Sequence, residues 1–358
     1  MWQLEPRSNP PLAWQFATPV LAVLATMITG GILFGFMGYD PFGAIRTIFW
    51  DPLFGASASY SRPQLLVKAG PLILIAAGLA VGFRAGIWNI GAEGQYIIGG
   101  ITGAAVALAT YPSDGWWIFP VMILAGAAGG WAWGMIPALL RNWFGASEIL
   151  VSLMLVYVAE KTAAWMAFGP MRNPEGFGMP GSRNLAQYPA ASNPELIPGT
   201  GIHWGVITAM LAVLAVWVLM SRHLRGLQIR AAGEAPRAAR FGGVRPGALV
   251  AFCLGLSGAF AGMAGLFEAA GPAGQITDGF GSGYGFTAII VAFLGRLHPV
   301  GIVLAGLLMA LTYIGGDIAQ MVMQLPFATV QVFQGMLLFY LLGFDLLTRY
   351  RIRRRITA

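Results

Sequence analysis

Apolar residues fall along the chain in runs of about 20, the number of helical residues that crosses a hydrocarbon core of about 30 Å. These runs place spans near 17–38, 65–83, 93–110, 116–140, 147–168, 204–221, 247–270, 284–295, 299–321 and 329–348. The eighth is too short to cross alone. Beside the glycine-rich "GPAGQITDGFGSGYG" it reads as either a partly unwound helix or a re-entrant segment buried in protein. The first run, Ala17 to Met37, is longer than a signal-peptide core, and "GYDPFGA" after it lacks a small-residue cleavage pattern, so a retained span is expected. The fold class predicted is all-α: a polytopic transmembrane helical bundle of about ten spans, one transmembrane domain over residues 1–358. The polar intervals 169–203 and 222–246 are its two long connections.

Composition supports this reading. Hydrophobic residues make up 57% of the chain and charged residues 10%, against about 25% charged in an ordinary soluble domain, and the mean hydropathy is +0.69. The net charge of +7 does not point to nucleic acid, because the basic residues flank apolar spans. With the N-terminus inside, fifteen arginines lie on the cytoplasmic side: Arg7, Arg84, Arg141, six in 222–246, Arg296 and five in the tail. Four lie outside, Arg46, Arg62, Arg172 and Arg183. That asymmetry obeys the positive-inside rule and makes both termini cytoplasmic. It also puts 222–246 in the cytoplasm and leaves 169–203 as an external loop, which either touches an extracytoplasmic partner or covers the outer mouth.

Ten spans divide as 5+5, and an odd number per half makes any second repeat inverted relative to the first. Segments 39–63 and 222–246 then correspond, as do the glycine-rich breaks before the third and eighth spans.

The break before the third span, "GFRAGIWNIGAEGQYIIGG", holds Asn89, Glu93 and Gln95 inside an apolar neighbourhood, where charge is costly unless paired or solvated. Glycines at 86, 91 and 94 permit unwinding or close packing. Two roles follow for Asn89 and Glu93: contact with the polar groups of a transported solute, or bracing of the break by hydrogen bonds. Trp88, Tyr96, Tyr284 and Phe286 stand near the two breaks, as ring contacts for such a solute or as packing.

Several chemistries are excluded. A phosphate-binding loop needs Gly-Lys-Ser/Thr, whereas the only lysines, Lys68 and Lys161, follow Val67 and Glu160. His203, His223 and His298 are isolated, so no zinc spacing exists, and Cys253 is a lone cysteine. Glycine pairs at 99/103, 126/130 and 258/262 are expected to pack helices closely.

In 222–246 a short helix over Ala235 to Phe241 is expected. It displays Arg237 and Arg240 between small residues that let a partner's groove approach the backbone. The run "GLQIRAAGEAPRAARFGGV", together with "GIWNIGAEGQYIIGG" and "GSGYGFTAIIVAFLGRLHPVGIVLAGLLMA", resembles ABC-transporter permeases of the branched-chain amino acid, ribose and nucleoside superfamily, in wording nearest the general nucleoside permeases. The resemblance implies a non-catalytic importer subunit of the bacterial inner membrane, with no cofactor of its own. Its partners would be ABC ATPase subunits carrying ATP and Mg, a second and shorter permease, and an extracytoplasmic substrate-binding protein or lipoprotein. The family's coupling segment falls here on Arg230, Gly233, Glu234, Ala235, Arg237 and Ala238, with Arg240 beside them, and Glu234 stands where asparagine is more usual. Nucleoside is the leading substrate. Simple sugar or branched-chain amino acid are the alternatives, and ion-coupled transport through Glu93, Glu268 or Asp317 is a competing class.

Overall fold

The computed structural model describes residues 2–6, 12–176, 178–281 and 283–354. Arg7, Ser282 and Arg355 lie outside them, as do the side chains of Asp345, Arg349, Arg351, Arg353 and Arg354. In chain order the elements are β1 (Trp2–Pro6), α1 (Leu12–Phe36), α2 (Pro41–Phe49), α3 (Asp51–Phe54), α4 (Ala58–Arg84), α5 (Ala92–Thr110), α6 (Ile118–Phe144) and α7 (Glu148–Phe168). There follow α8 (Trp204–Arg222), α9 (Leu224–Glu234), α10 (Pro236–Phe241), α11 (Pro246–Ala269), α12 (Tyr284–Leu294), α13 (Pro299–Met323), α14 (Phe327–Arg349) and β2 (Tyr350–Arg354).

A helix occupies each of the ten expected spans. Among the described residues, seven have the length and apolarity to cross a membrane: α1, α4, α6, α7, α8, α11 and α13. Helix α5 carries Glu93 and Gln95 in its first turn, and α12 has 11 residues, about 16 Å of helix, roughly half a hydrocarbon core. The all-α expectation meets one exception, an antiparallel pairing of β1 with β2 from Trp2↔Arg354 to Pro6↔Tyr350. Backbone groups that no helix satisfies pair with each other there. The connection 39–63 is helical too, because Asp40 accepts from the N–H groups of Phe42 and Gly43 and Pro41 opens α2.

The chain groups into two compact units. In the unit of residues 1–62 and 311–358, α1 packs on α14, with Phe34 stacked on Phe333 at 6.3 Å. Gly315 brings α13 against α2, since a Cβ there would lie 2.0 Å from the Ile48 carbonyl oxygen.

The unit of residues 63–310 is built around α4, which is buried along most of its apolar length. The three glycine pairs meet at one junction of α5, α6 and α11. A Cβ at Gly99 would lie 2.1 Å from the Gly262 Cα, one at Gly130 2.1 Å from the Gly258 oxygen, and one at Gly262 2.2 Å from the Gly126 oxygen. Backbones this close gain dispersion contacts that larger side chains would prevent. The junction fixes α5, and with it the polar break at its N-terminus.

Candidate functional site

Helix α4 ends in a glycine-closed turn. Gly86 has φ +71, the Ile87 N–H donates to the Gly82 oxygen at 2.9 Å, and the Gly86 N–H donates to the Phe83 oxygen at 3.2 Å. Only glycine takes that left-handed position without strain. The chain then runs without regular structure through Trp88–Ile90 to the start of α5.

Asn89 anchors this stretch. Its Nδ2 donates to Gln95 Oε1 at 2.8 Å and Ser257 Oγ at 2.6 Å, while its Oδ1 accepts from Gln95 Nε2 at 3.2 Å and the Gly91 N–H at 3.0 Å. All three side chains are buried, so this network replaces the water they lose. The Ile90 N–H adds a bond to Ser152 Oγ on α7 at 3.3 Å. Ser257 and Ser152 lie in helical stretches whose sequence gives no sign of the contact.

Glu93, 1% exposed, reaches the second break. Its Oε1 accepts from the Gly283 N–H at 2.8 Å and its Oε2 from the Gly285 N–H at 2.6 Å. These are the N-cap and a first-turn donor of α12, for which a helix has no internal partner. Glu93 also sits in the first turn of α5, so one carboxylate lies between two helix N-termini and offsets the positive end of both. The approach requires Gly285, where a Cβ would lie 2.2 Å from the Glu93 nitrogen. Gly283 caps α12 at φ +75.

The aromatic candidates divide. Tyr96 and Tyr284 are buried, edge to face at 5.9 Å, with Tyr96 stacked on Phe280 at 5.5 Å. Lys68 donates to the Tyr284 hydroxyl at 2.8 Å. Trp88, partly exposed, stacks instead on Phe293 and meets Phe83 at a tilt, and Phe286 is also partly exposed. The structure therefore brings Asn89 to Gln95, Glu93 to the start of α12, and Tyr96 to Tyr284, with Trp88 apart.

The 222–246 segment folds as α9 and α10, the latter starting one residue beyond the expected Ala235, which caps it. Arg230, Gly233, Glu234, Ala235, Arg237, Ala238 and Arg240 are all exposed, and Phe241 is 95% exposed. Underneath, Ile229 is buried with Val81, Ala85 and Ile87 at the end of α4. Gly233 closes the contact: a Cβ there would lie 2.0 Å from the Arg84 carbonyl oxygen. The exposed basic surface thus rests directly on the turn that leads to Asn89 and Glu93.

The 169–203 loop is tied to the segment before α12. The Ser182 N–H donates to the Ile276 oxygen at 2.9 Å, Leu185 N–H to the Gly274 oxygen at 2.7 Å, and Asn193 N–H to the Ala270 oxygen at 2.8 Å. His203 ends the loop, and its Nδ1 accepts from the Gly205 N–H at 3.0 Å, capping α8. Burial pushes its imidazole down to about 4, which keeps it neutral and able to accept.

Residues 62–342 match the family described as the permease component of the branched-chain amino acid transport system. The chain is 34% identical over 361 residues to a glucose ABC transporter permease protein of Haloferax volcanii, covering 98% of this chain and 93% of that one. It is also similar to two guanosine ABC transporter permease proteins of Bacillus subtilis. One is 27% identical over 301 residues (83% of this chain, 84% of that one) and the other 29% identical over 245 residues (67% and 76%). No solved structure matches the chain. With its apolar helices and a match spanning both breaks and the exposed basic segment, the chain belongs to the branched-chain amino acid, ribose and nucleoside superfamily of ABC-transporter permeases, multi-pass membrane proteins that serve as importer subunits.

Proposed function

We propose that this subunit carries a neutral, hydroxylated ring across the membrane, a simple sugar or a nucleoside, in a complex whose ATP and Mg are bound by separate ATPase subunits. The observation that carries the reading is the similarity over 98% of the chain to a glucose permease protein. Nucleoside is the second reading, supported by the guanosine permease relatives. The two related permeases of one organism support pairing with a second, different permease, and delivery by an extracytoplasmic binding protein completes the arrangement.

In this reading the ten span helices form two inverted halves of five in a bacterial inner membrane, α12 completing its span only together with the glycine-rich segment before it, with both termini and α9–α10 in the cytoplasm. The exposed arginines of α9 and α10 dock on the ATPase, and motion passes through Gly233 to the end of α4. Asn89 and Glu93 brace the breaks, while Trp88 and Phe286, the two exposed candidates, are those free to meet solute. Proton coupling through Glu93 is disfavoured, because its carboxylate is held by two backbone donors. The test is uptake of labelled glucose, guanosine and leucine by the reconstituted complex with its ATPases. ATP-dependent uptake of glucose or guanosine is expected. Uptake of leucine alone, or uptake that needs a proton gradient and no ATP, would reject the reading.

A further inference from the structure

Away from the breaks, the unit of residues 63–310 holds a cavity of about 780 Å³, within the size of small-molecule sites. Three segments wall it: the connection from α5 to α6 with the first turns of α6, the loop around 189–194, and the first turns of α8. The aromatic faces are Trp116, Phe119 and Trp204, and the polar groups are Asp114, Ser192 and Thr208. Among the described residues neither the Asp114 carboxylate nor the Thr208 hydroxyl has a hydrogen-bond or ionic partner, so both are available to a ligand.

The walls are fixed in place. The Tyr188 hydroxyl is hydrogen-bonded to the carbonyl oxygens of Thr110 and Ser113, joining the first two segments. Asn193 ties the loop to the end of α11 through the Ala270 and Phe267 oxygens, and His203 caps α8. Such tethering lowers the ordering cost of binding.

We infer that this crevice is a solute-capture site for a neutral hydroxylated ring, which stacks on Trp116 or Trp204 and places hydroxyls on Asp114, Ser192 and Thr208. Indoles also gather at membrane surfaces, where they meet lipid headgroups. Here, however, they flank a concavity whose only charged wall residue among the described residues is a carboxylate, which repels lipid phosphate and accepts from hydroxyls. Naming the solute class rests on the transport reading above.

The test is equilibrium binding of labelled glucose and guanosine to the permease complex in nanodiscs without its binding protein. The wild type is expected to bind one of them. Trp116→Ala, at a residue 89% exposed and so expendable for folding, weakens binding by about tenfold, the worth of one aromatic stack. The near-isosteric Asp114→Asn also weakens it, by about threefold or more, through loss of a charge-assisted hydrogen bond. Binding of neither solute, binding unchanged in both variants, or affinity that tracks anionic lipid content would overturn the assignment. ATP-driven uptake, measured in parallel, reports on the transport reading separately. Uptake with binding independent of Trp116 removes the crevice alone, and Trp116-dependent binding without uptake removes the transport reading alone.

Discussion

Glu93 shows how a charge survives inside an apolar bundle. Its two oxygens take the Gly283 and Gly285 N–H groups, so the desolvated carboxylate and the unpaired helix-end donors satisfy each other. Glu93→Gln keeps the shape but turns an amide NH2 toward one of those donors, and it removes the charge facing both helix ends. The expected loss is about 2 kcal/mol of stability, the worth of a hydrogen bond to a charged group, read as a lower unfolding midpoint in detergent. An unchanged midpoint would mean that the carboxylate does not hold α12. The sequence already marked Asn89, Glu93 and Gln95 as unusual, because polar residues in an apolar neighbourhood demand partners. It could not name the partners: two are backbone amides about 190 residues away, and Ser257 looks like any small residue of α11.

At the scale of elements, two short helices do work that their lengths alone do not suggest. Helix α12 is too short to cross alone and is held at its N-terminus by α5. Helix α9 lies against the end of α4, with Gly233 at the contact. Gly233→Val inserts side-chain atoms where even a Cβ falls 2.0 Å from the Arg84 oxygen, an overpacking that typically costs about 1–3 kcal/mol. In the reconstituted complex this variant is expected to assemble with the ATPases but lose stimulation of ATP hydrolysis by solute. Retained stimulation would show that the α9–α4 contact carries no motion. The three glycine pairs were legible as packing surfaces from their spacing of four. Their convergence on one α5–α6–α11 junction was not, because a small residue records that something approaches closely and not what approaches.

For the molecule as a whole, the orientation inferred from the arginines can be tested with the protein's single native cysteine removed by Cys253→Ala. Phe241 and Trp116, 95% and 89% exposed, are suitable reporter positions. With Phe241→Cys or Trp116→Cys added, an impermeant maleimide is expected to label the Trp116 position on intact cells and the Phe241 position only after permeabilisation. Labelling of both from the same side would reject the topology. The positions of the apolar helices, the exposed basic connection and the family were within reach of the sequence. Hydrophobic run length, arginine distribution and motif wording are properties of consecutive residues, and the lipid core selects directly on the first. Only the tertiary structure joined the two breaks through Glu93, seated Gly233 on Arg84, and folded Asp114, Trp116 and Trp204 around one cavity. Those contacts depend on how segments far apart in the chain approach one another, and that approach is decided by packing of the whole bundle and not by any local run of residues.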